Sequence, residues 1–519
     1  MNIFSLLSYK KFLAKFINKI KNNKVFMALA YKGHRRNIVL PENFDLEEHL
    51  NQYPPARYGF ADSQLRFNKD KIYYFLSLLS TIPARNKDLI DEEGWVPINM
   101  SYARNNIKDI KLYKDYLIAT GVIECDYQAI KGKKSYGYRW KQQYSQTNFH
   151  CCNVACSHEE DAYFMQEENN EELADLPYLS HWYNQKKLTI SPYVNQYAYA
   201  LLKYKLADKS KWSTNSNTGK LKHPQLQYNA VLINIDKIKN HKYEIHVDNT
   251  VYRLHTVITN LQKDYRNFLS YNGQELICID ISNSQPYLAC ALLNPMFWRI
   301  NSQLPLSLYS LPDNIQRSIT SVAITMDIEK FFRQYNDEDF RDYKKTASDG
   351  KMYETIAEEC QKNLQKSISR KEAKILMFYL LFSSNQGQND DITINQMKKI
   401  FSNKLFPEVA ELFKIIKHRF QDINDEKQHN RLSCLLQAIE SEIILHRCCK
   451  RIWEEGKQQV PIFTIHDSIT TTIEYSEYVK KIMEEELFRA IGVSPTLNIE
   501  NWNLNRVEYP QILHDIIEQ

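Results

Sequence analysis

The chain has 519 residues, 43% hydrophobic and 25% charged, with 12 glycines and a formal net charge of +5. That length suggests two to four domains, and the composition describes a soluble, helix-leaning globular protein rather than a disordered or collagen-like one. Scarce glycine argues against an all-β or dinucleotide-binding scaffold, and no stretch reaches the ~18 apolar residues that span a bilayer, so no membrane partner is expected.

The charge is unevenly spread. Residues 1–40 hold nine Lys/Arg and no acid, whereas residues 159–175 hold eight Asp/Glu and no base. Near the start, Phe4, Leu7, Phe12, Phe16 and Ile20 recur at helical spacing between Lys10, Lys11, Lys15 and Lys19. This is a basic amphipathic helix within an N-terminal arm of residues 1–60, and not a signal peptide. The plain reading is a helix packed on its own domain with a solvated lysine face; nucleic-acid contact comes next and membrane-surface binding third.

Residues 61–145 read as a small nucleic-acid-binding domain. An apolar helix over 71–82 is stopped by Pro83, and a short extended piece follows at 95–98. A second helical stripe (Ile107, Ile110, Tyr113, Leu117) ends at Gly121. Two β-like runs, 122–130 and 135–140, are joined by a turn containing Lys131, Lys133 and Lys134. Helix, helix and hairpin with a cationic tip resembles a winged helix whose wing lies on a phosphate backbone; a small α+β domain with a lysine-rich turn fits the same pattern.

Residues 146–180 read as a linker, acidic toward its end. Within it, residues 150–158 hold three Cys and two His. Their spacing is cramped and no partner cluster occurs elsewhere, which does not favour zinc. The ten cysteines otherwise scatter without a Cys-x-x-Cys pair, suggesting reduced thiols and a cytoplasmic address.

Two apolar runs in the remaining half each end in an aspartate. Residues 275–280 read Glu-Leu-Ile-Cys-Ile-Asp, followed by Ile-Ser-Asn-Ser-Gln-Pro, and residues 461–468 read Pro-Ile-Phe-Thr-Ile-His-Asp-Ser. Each reads as a buried strand delivering a carboxylate, Asp280 or Asp467, to its exposed end. On neighbouring strands such carboxylates can hold two Mg²⁺ ions roughly 4 Å apart for in-line attack at phosphorus. Taken singly, either is equally an ordinary turn residue.

Between them lies a helix with Ser369 as its N-cap and Arg370, Lys374, Phe378 and Phe382 spaced every four residues along one face. Two cations followed by two aromatics suit the phosphates, sugar and base of a nucleoside triphosphate. By itself the segment is also a core helix with solvated charges at its start.

Five pieces in order resemble the palm and fingers of family A DNA polymerases and the related phage-type single-subunit RNA polymerases. Arg253 to Gln262 looks like the family's Arg-Leu…Asn-Leu-Gln segment, carrying Arg253, Asn260 and Gln262. Asp280 stands at motif A, Arg370 to Phe382 at motif B, Gln437 on the helix before motif C, and His466-Asp467-Ser468 at motif C. The resemblance covers roughly residues 240–510. It implies an α+β right-hand fold over 181–519, with an antiparallel palm sheet (about 246–300 and 430–519), fingers (about 301–429) and a thumb (about 181–245).

The resemblance also implies roles. Asp280 and Asp467 hold two Mg²⁺ ions, with Mn²⁺ able to substitute. Arg370 and Lys374 bind the triphosphate, and Lys374 is placed to protonate the leaving group. Phe378 and Phe382 pack on sugar and base. Arg253, Asn260, Gln262, Gln437 and His466 contact the DNA primer–template. Sugar choice falls to a bulky motif A residue, Gln285 by counting from Asp280 or Tyr287 by aligning on Ser284-Gln285, and Phe382 offers no hydroxyl to a ribose. Deoxynucleotides are therefore favoured.

The sequence departs from the family where motif B lacks the Gly after its last aromatic residue, and no acidic exonuclease motifs stand in the N-terminal third. The readings are a template-directed DNA polymerase of a phage, plasmid or mobile element, a single-subunit RNA polymerase or primase-like enzyme, or a DNA-binding replication initiator with a non-catalytic palm.

Overall fold

The computed structural model describes residues 35–60, 67–107, 109–130, 135–155, 173, 176–215, 219–320, 322–385, 391–418 and 430–518. The expected basic helix before residue 35, the wing-tip lysines Lys131, Lys133 and Lys134, and Cys156 and His158 lie outside the described residues.

The fold is α+β. At its centre is an antiparallel sheet ordered Phe463–Ile465, Ser468–Thr472, Gln274–Ile281, Leu269–Tyr271 and Leu188–Ile190, with Leu497–Trp502 also paired to Gln274–Ile281. Leu276, Ile277, Cys278 and Ile279 are all buried, which is why this strand reads as a continuous apolar run rather than an alternating one. It enters from a hairpin turned by Asn272-Gly273, both at positive φ (50° and 77°), the conformation an Asn-Gly turn accommodates best. The Ser476–Ile491 helix packs on the Gln274–Ile281 and Ser468–Thr472 strands.

The Arg370–Phe382 helix has the expected bounds. It opens with a reciprocal capping box: Ser369 Oγ accepts from the Glu372 amide at 3.2 Å, and the Ser369 amide donates to Glu372 Oε2 at 2.7 Å. Ala373, Leu376, Met377, Leu380 and Leu381 bury its other face.

In the N-terminal region, helices Lys69–Arg85, Met100–Asn106 and Ile110–Ala119 accompany an antiparallel sheet in which Gly137–Trp140 lies between Val96–Pro97 and Ile123–Cys125. Two expectations need correction. Pro83 does not stop the first helix, which runs on to Arg85. Phe75, Leu76 and Leu79 are buried and the helix packs against the Pro224–Lys239 helix; that packing outweighs one missing backbone bond.

The second correction concerns the linker. Phe149–Ala155 is a strand in register with Arg35–Pro41, and Pro177–Asn184 is a helix. The start of the 146–180 segment is therefore sheet, and it ties the N-terminal region to the body. His150, Cys151 and Cys152 sit at successive positions of that strand, so neighbouring side chains leave opposite faces.

Candidate active site

The register of the sheet brings the two aspartates together. Asp280 pairs with Ser468 across the strands and with Asn498 on its other side, so Asp467 sits one residue beyond Asp280's partner. His466-Asp467 form the two-residue turn between Phe463–Ile465 and Ser468–Thr472, with His466 at a φ of 55°. A non-glycine residue in the left-handed region costs local strain, retained here at the lip of a cleft. After Asp280 the chain turns at once: the Ser282 amide donates to the Thr496 carbonyl at 2.9 Å, Asn283 takes a φ of 50°, and a short helix starts at Ser284.

These elements border a cleft of about 850 Å³, lined among others by Arg253, Asp280, Gln285, Arg370, Lys374, Phe378, Phe382, Gln437, His466 and Asp467. Segments separated by up to 245 residues of chain thus share one cavity, since Arg253 and Asn498 both line it. Across from the aspartates, Phe378 and Phe382 lie 5.4 Å apart at 32°, and Lys374 Nζ stands 5.8 Å from the Phe378 ring centre. Arg370 lies over the Tyr353 ring at 5.1 Å and donates Nε to Glu354 at 2.6 Å.

The electrostatics follow from burial and like charge. Asp280 is pushed up to about 7, first by burial and then by the Asp467 carboxylate; Lys263 and Lys374 oppose this. Burial also raises Asp467, against a hydrogen bond from Ser284 and the charges of Arg253 and Lys374. His466 is held down to about 3, chiefly by burial and then by Arg253, so its ring is neutral at physiological pH.

Two hard carboxylates lining one open cleft are a donor set of the kind that suits Mg²⁺ or Mn²⁺. Among the described residues no group of three or more His, Cys, Asp or Glu is placed to complete a metal cage. The remaining positions around such an ion would fall to water or to oxygens of a bound ligand.

Sequence reasoning missed Glu440, which is 1% exposed. It takes Arg253 in a two-pronged contact (2.8 and 2.9 Å) and the Gln285 amide at 2.9 Å. Burial pushes its carboxyl up and Arg253 pulls it back; the two-pronged contact is the geometry of the ionised form. Its signal was its place three residues after Gln437, on the same helical face. Tyr353 and Tyr379 also line the cleft and had no motif to mark them.

Three expected residues fall elsewhere. Tyr287 is fully buried and its hydroxyl donates to the Val493 carbonyl at 2.8 Å, pointing into the core, so it cannot meet a sugar in the cleft. Gln285, the other candidate, does line the cleft. Asn260 and Gln262 are not in the lining, and Gln262 is committed to the Gln227 carbonyl at 3.1 Å.

No family model matches the sequence, and no curated protein does. Among solved structures, the POL domain of Pol1 from M. smegmatis, in complex with DNA primer-template and dNTP, is similar at 15% identity with a TM-score of 0.28. The match covers 63% of this chain and 66% of that one, just under two thirds of its length. No described helix is long and apolar enough to cross a membrane.

Proposed function

We propose that this chain is a nucleotidyltransferase, a template-directed DNA polymerase of a phage, plasmid or mobile element that extends a 3′-hydroxyl. The observation that carries this reading is the register of the Asp280 strand on the Ser468 strand, in a cleft also lined by Arg370, Lys374, Phe378 and Phe382. In this reading residues 246–300 and 430–519 form the palm, 301–429 the fingers and 181–245 the thumb. In the same reading the three helices and three strands between residues 69 and 140 form a winged helix, and Lys131, Lys133 and Lys134, outside the described residues, are its candidate phosphate-binding cations.

Bound at Asp280 and Asp467, two Mg²⁺ ions (or Mn²⁺) would supply Lewis-acid stabilisation to the attacking hydroxyl and the triphosphate. The chain's own residues do the rest. Lys374 has no ion pair among the described residues, so its ammonium is available to the triphosphate and to protonate the leaving pyrophosphate. Arg370 exchanges Glu354 for a phosphate. Phe378 and Phe382 exclude water beneath sugar and base. Glu440 holds Arg253 and Gln285 in fixed orientations beside the aspartates, Gln285 as the side chain that crowds a ribose 2′-hydroxyl.

A single-subunit RNA polymerase or primase-like enzyme is the second reading. The His466-Asp467-Ser468 turn favours it, as does Tyr379, a hydroxyl-bearing residue in the same cleft. One incubation separates the two: purified full chain, primed template, Mg²⁺, and either dNTPs or rNTPs. Incorporation of dNTPs is expected, and its loss in Asp280→Ala and Asp467→Ala with DNA binding retained. Undiminished synthesis by both variants would place the chemistry elsewhere.

A further inference from the structure

The Arg370–Phe382 helix, which carries the cations and aromatics of the cleft, ends without the usual left-handed close. Ser383 is extended (φ −89°, ψ 162°), and no residue from 383 to 385 takes the conformation that lets a helix satisfy its own last carbonyls. Those carbonyls need donors from elsewhere, because this end is packed: Leu380 and Leu381 are both buried.

The donor is Lys417, on the Pro407–His418 helix. It is 6% exposed, and its Nζ donates to the Leu380 carbonyl and, at 2.9 Å, to the Ser383 carbonyl. These two carbonyls flank Phe382. A second lysine secures the residues that follow: Lys398 Nζ donates to the Asn385 carbonyl at 3.1 Å and stands 5.1 Å from the Tyr379 ring centre. Asn385 Nδ2 donates in turn to the Lys414 carbonyl at 3.0 Å.

Lysine is a costly residue to bury here. Lys417 has no carboxylate partner among the described residues, and burial, then the charge of Lys398, push its ammonium down to about 7. What it supplies at this depth, and an apolar side chain of the same length does not, is donors for two carbonyls. The effect reaches the cleft directly, since Tyr379, Phe382 and Ser383 all line it and Phe378 lies against Phe382.

We propose that Lys417, backed by Lys398, is a positioning residue: by holding the carbonyls on either side of Phe382 it sets the face of Phe378 and Phe382 against which an incoming nucleotide packs. That the ligand is a nucleotide rests on the polymerase reading; the clamp on this wall of the cleft does not.

The test is a double-mutant cycle read by steady-state extension of a primed template with the full chain. Lys417→Met keeps the length of the side chain and removes its donors. It should raise the KM for the nucleotide roughly tenfold and leave kcat within about threefold, the pattern of lost packing rather than lost chemistry. In a Phe382→Ala background the same substitution should change KM no further, because a residue that acts through Phe382 then has nothing to position. A role in stability alone predicts the same loss in both backgrounds. The melting temperature of Lys417→Met should stay near wild type, since relief of a buried charge offsets the lost donors. If that variant loses its cooperative melting transition, Lys398→Met carries the cycle, with a smaller rise in KM that again vanishes in the Phe382→Ala background.

A folded variant with wild-type KM, or an effect equal in both backgrounds, would overturn the clamp, while extension by the wild type leaves the polymerase reading standing. A wild type that extends with neither dNTPs nor rNTPs removes the polymerase reading. The clamp is then decided by equilibrium binding of a fluorescent nucleoside triphosphate to the same proteins. Weaker binding by Lys417→Met keeps it; equal affinity, or no binding by the wild type, overturns it.

Discussion

Replacing Asp280 by Asn should stabilise the metal-free protein near neutral pH. In the fold the Asp280 carboxyl is raised from 3.8 to about 7, by burial first and by Asp467 second. Between those two values the native state keeps a proton that the unfolded chain has released. The stability this group contributes is therefore fully present below its unfolded value and is lost as pH climbs toward its folded one.

The slope is about 1.4 kcal/mol per pH unit. Integrated over the gap it gives a ceiling of about 4 kcal/mol. Water in the open cleft screens the pair, which brings the expected gain for Asp280→Asn to roughly 2 kcal/mol at pH 7.5. Near pH 4 the gain should vanish, because Asp280 is then neutral in the native state too. Denaturant unfolding of both proteins in EDTA at pH 4, 6 and 7.5 reads this directly. Adding Mg²⁺ at pH 7.5 should stabilise the wild type and leave the variant nearly unchanged. An Asn variant no more stable than wild type at pH 7.5 in EDTA would mean that the two carboxylates do not share a strained site.

Four further outcomes are expected. Lys374→Ala should slow incorporation by roughly 10²–10³-fold through weaker phosphate stabilisation, measured by single-turnover extension. Gln285→Gly should raise ribonucleotide use relative to deoxynucleotide use in a competition assay. Tyr287→Phe should leave that ratio alone and cost about 1 kcal/mol of stability by removing the bond to the Val493 carbonyl; a wild type preferring rNTPs would promote the RNA polymerase reading. Replacing Lys131, Lys133 and Lys134 by Ala should lower the salt dependence of duplex binding by up to ~0.9 for each phosphate no longer neutralised, and an unchanged slope would leave this hairpin without a nucleic-acid role.

The sequence by itself determined what depends on neighbours along the chain. Two buried strands ending in Asp280 and Asp467 are legible because a fully buried strand needs an uninterrupted apolar run. The Arg370–Phe382 helix is legible, with its cap and its four-residue stripe, because one turn of helix sets both. The tertiary structure decided what depends on register and burial. One residue of strand offset separates Asp467 from the partner of Asp280, and no local pattern specifies that offset.

Tyr287 and Gln285 were equivalent as text. The short helix starting at Ser284 turns one into the core and leaves the other beside Glu440 in the cleft. Glu440 is ordinary in sequence and gains meaning only when Arg253, 187 positions earlier, is folded against it. Pro83 reads as a stop, yet its helix continues because the Pro224–Lys239 helix packs beside it. Long-range packing energies exceed the local preferences of single residues, and they are invisible until the chain is folded.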